Sequence, residues 1–291
     1  MLVSWRRTNA LRFEAVSIEK KAARGVAWNM AASVVTRVVQ LAGTLILTRF
    51  IAPAEYGEVS AAAICVFAAS QVSTFAFGQY LIAKKSPAPV AFQAAVLHFV
   101  LGVLGMGVLF LVREPLGVMV DAPGMGRLIP GFALALLIDR ARHVPERLLV
   151  RDLRFRAIAV INSVGELTYT FTALALAGAW GGRAIVAGAL ARSTLNAIFF
   201  FWSAPRREWL VWSPLQRGVI RDLFRFGTPV MIGALADRAA STWDNLLMSR
   251  LFGSGVMGRY TLSYSLAETP LIYVAERIGD VLMPSFAKME R

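Results

Sequence analysis

The chain has 291 residues, 57% of them hydrophobic, and its mean hydropathy is +0.57. Charged residues make up 17%, against about 25% in ordinary soluble domains, and they fall in clumps between long apolar runs, which excludes a soluble globular domain and describes a polytopic membrane protein. The net charge of +13 belongs to loops that gather Lys and Arg, so it does not point to nucleic acid, and the single cysteine, Cys65, excludes an intrachain disulfide.

Residues 1–23 carry Trp5 and several basic residues with no apolar core after them. They read as a cytoplasmic tail touching anionic lipid rather than a cleaved signal. Eight apolar spans follow, at roughly 26–48, 58–82, 90–112, 126–148, 156–178, 183–203, 227–249 and 258–283. The fourth has an uninterrupted apolar part of only LIPGFALALLI before Asp139, Arg140, Arg142 and His143. Either that helix is short or its cytoplasmic half faces a wet cavity, and the second is the expectation. Phe199, Phe200 and Phe201 in the sixth span are expected to face lipid. With the N-terminus inside, 21 Lys and Arg fall on the inner side and 6 on the outer, so both termini are expected in the cytoplasm. Turn residues agree: Ala52-Pro53, Pro115, Pro123-Gly124, Gly181-Gly182 and Gly253-Ser254-Gly255 fall in the expected outer loops. The longest inner connection, roughly 204–225, carries Pro205, Trp209, Trp212 and Pro214.

The stretch from Arg24 to Gly57 returns at Arg225 to Gly258, offset by 201 positions without a gap. All three arginines of the first window coincide with those of the second: Arg24 with Arg225, Arg37 with Arg238, Arg49 with Arg250. Met30 falls on Met231, Leu45 on Leu246 and Gly57 on Gly258. An arginine near the bilayer midplane costs roughly 2.5–3.5 kcal/mol, so its recurrence at one register is a positional signal. Repeats of this kind mark secondary transporters. Six spans make up the first unit, 24–224, and an even number leaves the second unit, from 225, in the same orientation. The expected fold is therefore all-α: about eight transmembrane helices, one six-helix lobe plus the first two helices of a second, parallel-repeat lobe. A full second unit needs about 201 residues, so 225–291 is expected to be a partial lobe of a truncated chain.

No catalytic constellation is present: no Gly-rich phosphate loop with its Lys, no nucleophile elbow, no metal-spaced cluster. His98 and His143 stand alone. No enzyme, cofactor or metal is expected. The available chemistry is charge inside the spans, at Arg37, Asp139, Glu166, Arg192, Asp237, Arg238, Asp244, Glu268 and Arg277. Asn29, Gln40, Asn162 and Asn245 suit sugar hydroxyls or interhelical bonds equally well.

The loop LILTRFIAPAEYGEVSAAAICV resembles the first loop of bacterial oligosaccharide flippases. These are the Wzx-type polysaccharide transporters, a branch of the superfamily that also holds the MATE drug exporters and lipid II flippases. LLVRDLRFRAIAVINSVGE at 148–166, the start of the second unit, and VLMPSFAKM near the end resemble later parts of the same family, so the likeness covers most of 22–290. The resemblance implies two lobes around a central cavity in the bacterial inner membrane. It implies movement of lipid-linked oligosaccharide, carried on undecaprenyl diphosphate, for cell-surface polysaccharide, with a polysaccharide polymerase or glycosyltransferases as partners. In that setting Arg37, Arg238, Arg192 and Arg140 are the substrate-binding candidates, because a guanidinium fork takes phosphate oxygens bidentately. Each arginine is equally open to a structural ion pair, Arg37 with Glu166 and Arg238 with Asp244. Glu166, Asp244 and Glu268 are the candidates for coupling to protons or sodium. A MATE-like cation exporter, a membrane glycosyltransferase or polymerase and a non-transporting remnant are the alternatives.

Overall fold

The computed structural model describes residues 36–84, 86–152 and 154–264, excluding the side chains of 72 and 238–246. Every regular element in these residues is helical. In chain order they are α1 (Thr36–Leu47), α2 (Pro53–Val72), α3 (Phe77–Lys84), α4 (Ala88–Met119), α5 (Met125–Arg151), α6 (Phe155–Trp180), α7 (Arg183–Ser203), a 3₁₀ turn (Arg206–Glu208), α8 (Arg217–Phe252) and α9 (254–264). Three of them, α4, α6 and α7, are long and apolar enough to cross a membrane. The chain is a multi-pass membrane protein. Its tail, 1–23, and the eighth expected span beyond 264 lie outside the described residues.

One end of the bundle is fastened by α2. Pro53 stands in its first turn, where a missing N–H costs nothing. Glu55 in that turn accepts the N–H of Gly182 at 2.7 Å, and Glu58 accepts the N–H of Gly124 at 3.0 Å. Gly182 and Gly124 are the N-cap residues of α7 and α5. Two carboxylates on one helix therefore cap two other helices, where the N-terminal dipoles favour negative charge. Below them a core of Val59, Ala62, Met125, Ile129, Ala173 and Ala184 joins α2, α5, α6 and α7. Small residues let these helices approach closely, as membrane bundles require.

The second expected span, 58–82, is not one helix. It breaks at 73–76, between α2 and α3. Ser73 Oγ donates to the carbonyls of Ala69 and Ser70, and Thr74 Oγ1 donates to Ser70 O, so hydroxyls compete with the backbone ladder at its last turn. Ala76 takes φ 46°, a left-handed conformation that a Cβ disfavours. The third span also differs: α4 runs to Met119 and holds Pro115 inside the helix rather than in a loop. Pro229 is likewise inside α8, which begins at Arg217, eight residues before the expected start of the second unit. The fourth span is a continuous helix, α5, of 27 residues, and its charged half borders a cavity. Phe200 is fully buried beneath the Arg142 guanidinium, and Phe201 stacks on Trp209, which corrects the lipid-facing expectation for both. Apolar bulk beside a cation and a tryptophan found better partners than lipid.

The connection before α8 is held from both sides. Gln93, buried at the start of α4, donates to Ser213 Oγ and accepts the N–H of Gln216, while Arg151 at the end of α5 donates to Glu208. Beyond it, α8 and α9 pack on the first unit. A Cβ on Gly57 would overlap the carbonyl oxygen of Ser254, and a Cβ on Gly258 would overlap that of Pro53. Gly57 and Gly258, and likewise Pro53 and Ser254, are 201 positions apart, the offset of the repeat. Contacts that exchange in this way are what a two-fold relation produces.

Candidate functional site

A cavity of about 480 Å³ lies inside the bundle, walled by α1, α2, α5, α6 and α7. Its apolar lining includes Tyr56, Phe67, Phe132 and Tyr169; its polar lining includes Gln40, Ser60, Asp139, Arg192 and Ser193. Behind that wall runs a relay across three helices. Arg37 of α1 donates to Gln40 Oε1 at 2.7 Å, and Gln40 Nε2 donates to Glu166 Oε2 of α6 at 2.5 Å. Arg192 of α7 donates to Glu166 Oε1 at 3.2 Å, and its guanidinium lies over the Tyr169 ring, 5.4 Å from the centroid. Glu166 thus receives both branches on separate oxygens. Arg37 reaches Glu166 through Gln40 and Arg192 reaches it directly, with Arg192 and Gln40 at the cavity surface. On the facing side Ser193 donates to Asp139 Oδ2 at 3.0 Å, and Arg142 donates to Asp139 Oδ1 at 2.6 Å.

Arg140, by contrast, is nearly enclosed, at 5% exposure. Its Nη1 donates to the carbonyls of Ser73 and His98, and its Nη2 donates to Ser70 O and to the hydroxyls of Ser70, Ser73 and Thr74. Apart from His98, which lies in α4, these groups stand at the break between α2 and α3. The guanidinium replaces the missing helical donors there. A smaller cavity of about 310 Å³ lies beside it, against α3, α5 and α8, and Leu136 and Asp139 border both spaces.

The structure therefore brings Arg37, Glu166 and Arg192 together and sets Arg140 apart. Arg238 and Asp244 lie on α8, with side chains outside the described residues, and Glu268 lies outside them altogether. His98 and His143, solitary in the sequence, stack with ring centroids 4.3 Å apart. Sequence reasoning missed Asp139–Ser193 and the bracket of Arg142 between Asp139 and Glu146. The signal for the bracket was present, since 139, 142 and 146 share one helical face. Among the described residues, no three His, Cys, Asp or Glu side chains come together as a metal site.

The multi-pass helical bundle thus surrounds a polar, aromatic-lined cavity and sets arginines within its helices. The family described as polysaccharide biosynthesis protein matches residues 46–291, and the chain belongs to it. The chain is 22% identical to the lipopolysaccharide biosynthesis protein WzxC of Escherichia coli (strain K12), covering 94% of this chain and 56% of that protein. It is 26% identical to the succinoglycan biosynthesis transport protein ExoT of Rhizobium meliloti (strain 1021), covering 93% and 54%. It is 21% identical to the teichuronic acid biosynthesis protein TuaB of Bacillus subtilis (strain 168), covering 94% and 56%. The resemblance to Wzx-type transporters holds, and the chain spans about half the length of these relatives. No solved structure matches the chain.

Proposed function

We propose that the chain contributes to translocation of lipid-linked oligosaccharide across the bacterial cytoplasmic membrane, for assembly of a surface polysaccharide. The observation that carries this reading is the Arg37–Gln40–Glu166–Arg192 relay behind the aromatic-lined cavity. Aromatic faces and neutral hydrogen-bonding groups suit a sugar, and a guanidinium at the cavity surface suits a diphosphate. Arg192 takes the phosphate oxygens in this reading, while Arg37 and Glu166 hold its charge and orientation. Arg140 acts by keeping the broken helix in place. Any part taken by Arg238 in binding substrate rests on the repeat, and any part taken by Asp244 or Glu268 in coupling an ion rests on their place within expected spans. The reciprocal approach of Gly57 and Gly258 supports two units related by an axis along the membrane normal. Both termini are inside in this arrangement, and no covalent step is required.

The test is transfer of a fluorescent undecaprenyl-diphosphate saccharide between leaflets of proteoliposomes. Arg192→Ala is expected to lower the rate at least about tenfold, the loss of one charge-assisted contact. Normal transfer of the saccharide lipid by Arg192→Ala refutes the role of that residue. Efflux of a cationic dye, with no transfer of the saccharide lipid, refutes the substrate class.

A further inference from the structure

The smaller cavity has a charge that its own walls do not balance. Asp139 and Glu146 both face it, and both are bonded by Arg142, at 2.6 Å and 3.0 Å. The Nη groups of Arg140 are taken by the helix break. Arg147 faces the same cavity and has no carboxylate partner among the described residues. Its Nε, the Nε of Arg140 and the Nε2 of His143 are buried polar atoms without a hydrogen-bond partner. The His143 ring is held by its stack on His98, and Gly78 of α3 leaves room for it. A Cβ at that glycine would stand 2.7 Å from His143 Nε2 and 3.0 Å from Arg147 Cδ. Two of the three unpartnered atoms are obligate donors, and Nε2 donates in one neutral tautomer. An arginine that borders a cavity with no carboxylate partner among the described residues fits a ligand rich in anionic oxygens. The opposite wall is apolar, formed by Val230, Met231 and Ala234 of α8.

We propose that this cavity is an anion site for the phosphoryl group of a membrane lipid. Arg147 is its principal ligand, and the α8 wall lies along the first carbons of the lipid chain. A phospholipid headgroup and a polyprenyl diphosphate share this chemistry. The site is separate from the Arg192 cavity and stands whether or not that cavity carries saccharide.

The test labels a thiol at the rim. Gln79 is exposed and borders the cavity, and the full chain carrying Cys65→Ser and Gln79→Cys reacts there with a water-soluble maleimide. Short-chain phosphatidylglycerol and undecaprenyl diphosphate are each expected to slow labelling, and the more potent of the two identifies the source. Phosphate-free diacylglycerol is expected to have no effect. Adding Arg147→Gln is expected to raise the protecting concentration about tenfold, whereas adding Arg192→Gln leaves it unchanged. Equal protection by diacylglycerol, absence of protection by either phosphoryl lipid, or protection unaltered by Arg147→Gln overturns the site. Inorganic phosphate protecting at equal or lower concentration overturns its assignment to lipid.

Discussion

Arg140 is the residue whose removal the structure makes most costly. Replacing it with Ala strips donors from three carbonyls, those of Ser70, Ser73 and His98, and from three hydroxyls. Ser70 O keeps the hydroxyls of Ser73 and Thr74 and the N–H of Ser73, and His98 O lies inside α4, so the loss concentrates on Ser73 O and on the charge-assisted bonds themselves. One orphaned buried acceptor costs roughly 1–3 kcal/mol, and losing a bond to a charged group costs about 1.5–3 kcal/mol. One term offsets this: the adjoining cavity has room for water to reach some of the freed groups. The expected net loss is about 2–4 kcal/mol, close to what breaking a buried polar network costs elsewhere. It is read as an earlier thermal transition of the detergent-solubilised chain, followed by tryptophan fluorescence and helical circular dichroism. Arg140→Lys should recover part of the loss, because an ammonium keeps three donors but not the planar fork. Gly102→Ala should reproduce part of the effect without touching the arginine, since a Cβ there would overlap Arg140 Cδ and push the guanidinium off its acceptors. A transition in Arg140→Ala equal to the parent's would refute the claim that this side chain sustains the break.

Glu55→Gln and Glu58→Gln each exchange a charged acceptor at a helix N-terminus for a neutral one, and each is expected to cost about 1 kcal/mol, measured as a lowered thermal midpoint, with the double substitution additive. Leu at Gly57 or at Gly258 should separate α2 from α9 to the same degree, because each glycine faces the other's partner carbonyl, and disulfide cross-linking of the pair Pro53→Cys/Ser254→Cys should fall in both variants. Reporter fusions near 122 and 182 are expected outside and those near 87 and 212 inside; 87 and 182 reporting the same side would overturn the orientation.

What the sequence made legible follows the range of the interactions concerned. The long apolar runs became α4, α6 and α7, because twenty apolar residues in succession satisfy the bilayer without reference to a partner. The turns at Asp121–Gly124, Gly181–Gly182 and Gly253 followed from local chemistry, with Asp121, Gly181 and Gly253 at positive φ. Glu166 was named as a partner for a buried arginine, and it is one, yet its direct ion pair is with Arg192 and its link to Arg37 passes through Gln40. A glutamine interposed between residues 129 positions apart leaves no periodic trace. The same holds for Arg140, whose acceptors lie 42 to 70 positions earlier in the chain. Its charged neighbours Asp139 and Arg142 gave no hint that it would be consumed by carbonyls rather than by a substrate. The break itself was hidden for a related reason. SerThr followed by PheAlaPhe continues a hydrophobic run as well as a helix does, and only the arginine on α5 makes an interruption affordable.

That interruption also explains where the two cavities lie. Its one face is bonded to Arg140 of α5. Its other face meets α8: Phe75 sits edge-on to Phe224 with centroids 4.8 Å apart, and a Cβ on Gly227 would overlap the Phe75 carbonyl oxygen. The broken segment is therefore wedged between α5 and α8. An unbroken α2 would carry its hydrogen bonds internally and leave Arg140 with no acceptors in that wall. Arg140 would then have to seek the carboxylates that Arg142 now holds. Asp139 would lose Arg142 as its partner, and the boundary it forms with Leu136 between the large and small cavities would lose its charge balance. Helix break, buried arginine and the Asp139–Arg142–Glu146 bracket thus depend on one another, and substitutions among Arg140, Asp139 and Ser73 should be non-additive for that reason.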